Sequence, residues 1–188
     1  MKTCISMLRG INVSGKNKIL MKELQTMYEA MGYENVRTYI QSGNVVFETK
    51  KKTDIALAKE IKQQIEETFG FDVPVIIRGL DEMNHALEHN PFLKQKDIDL
   101  SRLHVTFLSE VPSKEHLAKL KDQNYAPDEF IIEGKEIYLH IPVSYGNTKL
   151  NNNFWESKLK VTATTRNWKT VNELVKIATE PTDKIKKK

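Results

Sequence analysis

A single cysteine, Cys4, stands among 188 residues. No intrachain disulfide can form, which excludes the cross-linked framework of small secreted domains. No stretch approaches the roughly 20 continuous apolar residues of a membrane-spanning helix. The opening MKTCISMLRG breaks at Arg9 before any secretory core of about 7–15 apolar residues can form. With only 8 Gly and 6 Pro, the chain has no collagen-like or low-complexity stretch. CxxC pairs are missing too, and so is any legible Ser/His/Asp or Cys/His set. These absences point to a reducing cytosol with no membrane partner. There the Asn12-Val13-Ser14 triplet is a chance match to a glycosylation site, and Cys4 is a small core residue in a strand.

Charge of one sign is lacking in the body of the chain. Lys and Arg total 29 against 25 Asp and Glu, but four of the lysines crowd into Lys184–Lys188. Without them 25 basic residues face 25 acidic ones, and the pI near 9.0 belongs to the tail. A solvated end is the ordinary fate of such a tail. The sharper reading is a non-specific contact with nucleic acid or an anionic surface. A neutral body argues against a dedicated duplex-DNA binder, which needs a broad basic face. With 39% apolar residues, the chain can bury a core without metals or cross-links.

Periodicity supplies the elements. Thr3–Leu8 reads as a strand. Leu20, Leu24, Met27, Tyr28 and Met31 fall on one helical face, stopped at Gly32. Val36–Ile40 and Val45–Glu48 flank the turn Gln41-Ser42-Gly43-Asn44. Asp54 heads a helix with Leu57, Ile61, Ile65 and Phe69, closed by Gly70. Val73–Arg78 is a strand whose Pro74 suits an edge. The order β-α-β-β-α-β predicts a ferredoxin-like unit over residues 1–78. A connecting helix and loop fill 79–101, and the pattern returns over 102–180. There Leu103–Leu108 is a strand and Ser113 caps a short helix. A hairpin turns at Gly134, Thr148 caps a further helix, Val161–Thr164 is a last short strand, and a helix follows from Trp168. Residues 181–188 are the basic tail. The expected fold is therefore α+β: two ferredoxin-like repeats with extra helices and a mostly antiparallel sheet.

Four places carry chemistry. Leu8–Lys18 holds Arg9, Lys16 and Lys18, no acid, and glycines at 10 and 15. It sits between a strand and a helix, where backbone amides favour anions. Gly10-x4-Gly15-Lys16 matches most of a phosphate-binding loop, but Asn17 replaces the Ser or Thr that would hold magnesium. Asn17 serves equally well as a helix cap. The second place is Arg37 to Asn44, where Arg37, Tyr39 and Gln41 alternate with apolar residues. A tyrosine there could stack on a base, although the aromatic ribonucleoprotein signatures are missing. At the third, Asn167 is placed to cap the last helix, Trp168 to pack inward and Arg166 to offer a fork for carboxylate or phosphate. The fourth is His85-Ala86-Leu87-Glu88-His89. It matches the H-x-x-E-H zinc pattern, but its helix is short and no distal ligand is in view, so ordinary surface histidines are expected and no metal.

The strings LRGINVSGKNK, RTYIQSGNVVFE and TTRNWKTVNEL, in that order, resemble the bacterial family catalogued as domain of unknown function 1697. The resemblance implies an α+β fold of two ferredoxin-like repeats. It implies no established activity, substrate or cofactor. Its motif positions fall on Arg9, Gly10, Asn12, Gly15, Lys16 and Asn17; on Tyr39, Gln41, Ser42, Gly43 and Asn44; and on Arg166, Asn167 and Trp168. Ser14 stands where glycine is more usual in that family.

The favoured expectation is a non-catalytic binder of an anion at Arg9–Lys18: a nucleotide, a phosphorylated metabolite or single-stranded RNA. One alternative is an enzyme acting on a phosphate- or carboxylate-bearing substrate, with Lys16 and Arg166 as electrostatic stabilisers and Tyr39 as acid. The other is a protein-interaction module. In one ferredoxin-like unit the loop after the first strand and the hairpin between the second and third strands are expected at opposite ends of the sheet, roughly 17–20 Å apart. The first two motifs are thus expected not to meet.

Overall fold

The computed structural model describes residues 1–50, 52–120 and 124–180. The basic tail lies outside them. Eight strands and six α-helices occur among the described residues. The first sheet is built from β1 (Lys2–Leu8), β2 (Glu34–Tyr39), β3 (Asn44–Thr49) and β4 (Val75–Gly79), with α1 (Met21–Ala30) after β1 and α2 (Asp54–Phe69) after β3. Its order is β2-β3-β1-β4, and every pairing is antiparallel. β4 is an edge strand, which accommodates Pro74 just before it.

Alternation builds the core of this unit. Cys4, Leu8, Val45, Phe47, Val75 and Ile77 line one sheet face and pack against Leu24, Met27 and Tyr28 of α1 and Leu57, Ile61 and Ile65 of α2. Burying one such aliphatic side chain contributes about 1.5–3 kcal/mol. A buried polar residue on that face, Ser6, shares a hydrogen bond with the Tyr28 hydroxyl at 2.8 Å. Burial pushes the Cys4 thiol up to about 11.

After α3 (Leu80–Glu88) the second sheet repeats the order. It contains β5 (Leu103–Leu108), α4 (Lys114–Ala118), β6 (Glu129–Glu133), β7 (Glu136–His140), α5 (Asn152–Leu159) and β8 (Ala163–Asn167), and α6 (Trp168–Thr179) follows. Its strands run β6-β7-β5-β8, again antiparallel. Leu108, Ile137, Leu139, Leu159 and Ala163 surround Trp155, whose indole N–H donates to the Leu150 carbonyl at 3.0 Å. The pairing register repeats as well. Ile5 faces Arg78 and Cys4 faces Gly79 in one sheet; Val105 faces Arg166 and His104 faces Asn167 in the other. In both cases a buried arginine is followed by one residue and then a helix. The chain divides into two compact units, Met1–Asn84 with the stretch from Glu173, and His85–Asn172. The divisions fall inside α3 and α6.

Several caps differ from expectation. Thr53, not Asp54, caps α2, accepting from the Ala56 N–H at 3.2 Å. Asn151, not Thr148, caps α5, accepting from the Phe154 N–H. The Thr148 hydroxyl instead donates to the Asp128 carboxylate and accepts from the Leu150 N–H. Ser113 caps α4 and Asn167 caps α6, as the sequence suggests. β8 runs to Asn167, beyond the strand expected to end at Thr164. No helix among the described residues is long and apolar enough to cross a membrane.

Candidate functional site

The loop after β1 and the hairpin between β2 and β3 lie together, not a strand length apart. β1 runs antiparallel to β3, with Met7 opposite Asn44, so the end of one meets the start of the other. The Leu8 N–H donates to the Gly43 carbonyl at 2.8 Å. Asn12 fastens the cluster: its Nδ2 donates to the Ile19 and Gln41 carbonyls, each at 2.9 Å, and its Oδ1 accepts from the Ile19 N–H at 2.9 Å. Gly43 has φ +76°, and a Cβ there would come within 2.7 Å of Leu8 Cβ and Ile11 Cδ1. Only glycine permits that approach. The buried Asn44 amide donates to the Tyr39 carbonyl and the Ser42 hydroxyl. Arg9 is tied to the neighbouring edge strand region through its N–H, which donates to the Pro74 carbonyl at 2.9 Å.

Within the loop, Val13 to Lys16 form a tight turn closed by the Lys16 N–H on the Val13 carbonyl at 2.9 Å. Ser14 and Gly15 at its centre both have positive φ, 50° and 75°, the mirror-type turn of hairpins. The Asn12 N–H reaches the Asn17 carbonyl, and Asn17 Nδ2 donates to the Gly10 carbonyl at 3.1 Å. Asn17 is therefore not a helix cap. α1 starts at Met21, and its cap position is Leu20, which makes no side-chain cap bond. Lys16 stands well before the helix, so the phosphate-loop spacing does not place it at a helix N-terminus. Of the loop amides, those of Arg9, Asn12 and Lys16 are engaged inside the chain. Those of Ser14 and Gly15 donate to nothing among the described residues, and Lys16 and Lys18 have no carboxylate partner among them.

The third motif belongs to the second unit. Arg166 is 7% exposed; its Nη1 donates to the Thr164 hydroxyl at 2.8 Å and the Thr165 carbonyl at 2.9 Å. Burial pulls its guanidinium down to about 10, against an opposing effect of Tyr145. It is a braced interior group rather than an open fork. Asn167 Oδ1 accepts from the Thr170 N–H at 2.8 Å, and Trp168 is buried. A cleft of about 530 Å³ opens here, lined among others by Ser101, His104, Asn167, Trp168, Lys169 and Asn172. His104 Nδ1 lies 3.3 Å from the Arg102 carbonyl, and the ring stacks on Tyr145 at 4.7 Å. Desolvation holds it below the usual histidine value, against the Arg102 hydrogen bond. A second groove, about 660 Å³, runs between α1 and α2 over Met27, Ala30, Met31 and Phe69.

The histidine pair stacks ring on ring, His85 to His89 at 4.0 Å. Among the described residues no group of three or more His, Cys, Asp or Glu side chains is arranged to hold a metal ion.

Sequence periodicity missed three exposed apolar residues around Asn12. Leu20, expected on the buried helix face, is 66% exposed; Ile40, expected in the strand, is a turn residue 48% exposed with φ 49°; Val13 is 58% exposed. Their hydropathy alone signalled burial.

Two antiparallel βαββαβ-ordered units, one with a basic loop stapled to a hairpin, define an α+β protein with a surface-loop site. The chain belongs to the family described as protein of unknown function (DUF1697), which it matches over residues 1–138. That stretch includes the first two motifs and stops before the third. The solved structure of the conserved bacterial protein SP0830 from Streptococcus pneumoniae is similar, with 25% identity and a TM-score of 0.74 over 94% of this chain and 98% of that one. No curated protein matches.

Proposed function

We propose that this chain is a non-catalytic binding protein whose anionic ligand, a nucleotide, phosphorylated metabolite or single-stranded RNA, is held at the Arg9–Lys18 loop. One observation carries the reading: at the loop tip, the free N–H groups of Ser14 and Gly15 stand beside Lys16 and Lys18, with no acid anywhere from Leu8 to Lys18. Gly10, Asn12 and Asn17 hold the loop in shape, and Gly15 and Lys16 face the ligand. The scaffold in this reading is a pair of ferredoxin-like repeats, 1–78 and 102–180, joined through 79–101. The strand orders β2-β3-β1-β4 and β6-β7-β5-β8 and the repeated βαββαβ succession support it.

Calorimetric titration with pyrophosphate, a sugar phosphate, a nucleoside phosphate and a short single-stranded RNA tests the proposal. Saturable binding is expected for at least one, weakened tenfold or more in Lys16→Ala/Lys18→Ala protein that melts at the wild-type temperature. A flat response to all four overturns it.

A further inference from the structure

Leu20 and Ile40 each occupy a position where the backbone asks for something else. An N-cap favours Asn, Asp or Ser and strongly disfavours Leu; Leu20 makes no cap bond. Positive φ suits Gly or Asn, and is a genuine outlier for a β-branched residue; Ile40 has φ 49°. Neither side chain is recompensed by burial, being 66% and 48% exposed. Breaches of local preference that the fold does not reward mark places kept for another purpose.

The two breaches adjoin one hydrogen-bond cluster. The Asn12 amide binds the carbonyls of Ile19 and Gln41, the chain neighbours of Leu20 and Ile40. Val13, the neighbour of Asn12 itself, is the third exposed apolar side chain, at 58%. Single exposed apolar residues need no explanation, but three that each adjoin in sequence a member of one hydrogen-bond cluster do. They crown the acid-free stretch that also carries Lys16 and Lys18.

We infer that the ligand of this loop is a phosphate ester with an apolar body, a nucleoside phosphate, whose base lies against Ile40, Leu20 and Val13 while its phosphate meets the Ser14 and Gly15 amides and Lys16. Charge complementarity sets the phosphate end, and the uncharged aliphatic crown matches the flat apolar face of a base. The inference rests on the anion-binding reading above and narrows it, separating nucleoside phosphates from hydrophilic sugar phosphates. Free nucleotide and single-stranded nucleic acid share this chemistry.

The test titrates wild type, Ile40→Asn and Leu20→Ser with pyrophosphate, a sugar monophosphate, nucleoside monophosphates and a short single-stranded RNA. Wild type is expected to bind a nucleoside monophosphate at least tenfold more tightly than the sugar monophosphate. Each variant is expected to lose about that factor for the nucleotide, keep its pyrophosphate affinity, and melt at the same or a higher temperature. Equal affinity for nucleotide and sugar phosphate, or variants that bind nucleotide like wild type, overturns the inference and leaves the anion site standing. A fall in melting temperature also overturns it, because the two side chains would then serve the fold. Failure of every phosphate, pyrophosphate included, overturns the underlying reading instead. Tighter binding of RNA than of mononucleotide identifies the polymer as the source; equal affinity identifies the free nucleotide.

Discussion

Asn12 does for the loop what a core residue does for a sheet. Its side chain makes three bonds to two other chain segments. Asn12→Ala removes all three, and each neutral hydrogen bond is worth about 0.5–1.5 kcal/mol. Urea denaturation should show a loss of roughly 2–3 kcal/mol, with faster amide exchange at Ile19, whose N–H loses its acceptor. Gly43 is the stricter position. Gly43→Ala adds a methyl against Leu8 and Ile11 at a positive φ, so a loss of about 2 kcal/mol or more is expected by the same measurement. Gly32→Ala, also at positive φ but with nothing within 4 Å, should cost only about 1 kcal/mol. In the sequence Gly43 reads as a turn residue and Gly32 as a helix stop, but only packing separates their costs, because a string of letters does not say which neighbours approach.

Among the elements, helix and strand identities followed from period, while caps did not. Thr53 and Asp54 are adjacent and chemically equivalent as caps; the bond to Ala56 selects Thr53. Thr148 was drawn away by Asp128, a partner 20 residues distant in sequence. The end of β5 near α6 carries a pH-dependent contribution. His104 is half-buried and held below its ordinary 6.5 by desolvation, so the folded state favours the neutral ring. That contribution is fully present above about 6.5, the unfolded value, and is lost as the pH falls through the lower folded value. Stability should therefore fall on acidification below about pH 6.5. The fall should be shallower in His104→Leu protein, as read from denaturation midpoints between pH 7 and pH 5. An equal slope in both proteins would remove His104 as the cause.

On the scale of the whole molecule, the charge balance separates the tail from the body. If the loop lysines bind the anion, deleting Lys184–Lys188 should leave phosphate-ester affinity within about twofold at 0.15 M salt, where screening limits the reach of a solvent-exposed charge to about 8 Å. A tenfold loss on titration would assign the binding to the tail. The amino-acid order by itself determined the succession of elements, the acid-free loop and the duplicated pattern, because hydropathy period, capping residues and turn chemistry act over a few neighbouring positions. Only the tertiary structure decided that the first two motifs share one end of a sheet, since antiparallel pairing of β1 with β3 brings Met7 to Asn44 across the intervening chain. It also decided that Arg166 is braced inside while Leu20 and Ile40 stand in water. Burial depends on what the rest of the chain brings alongside, and no local pattern carries that information.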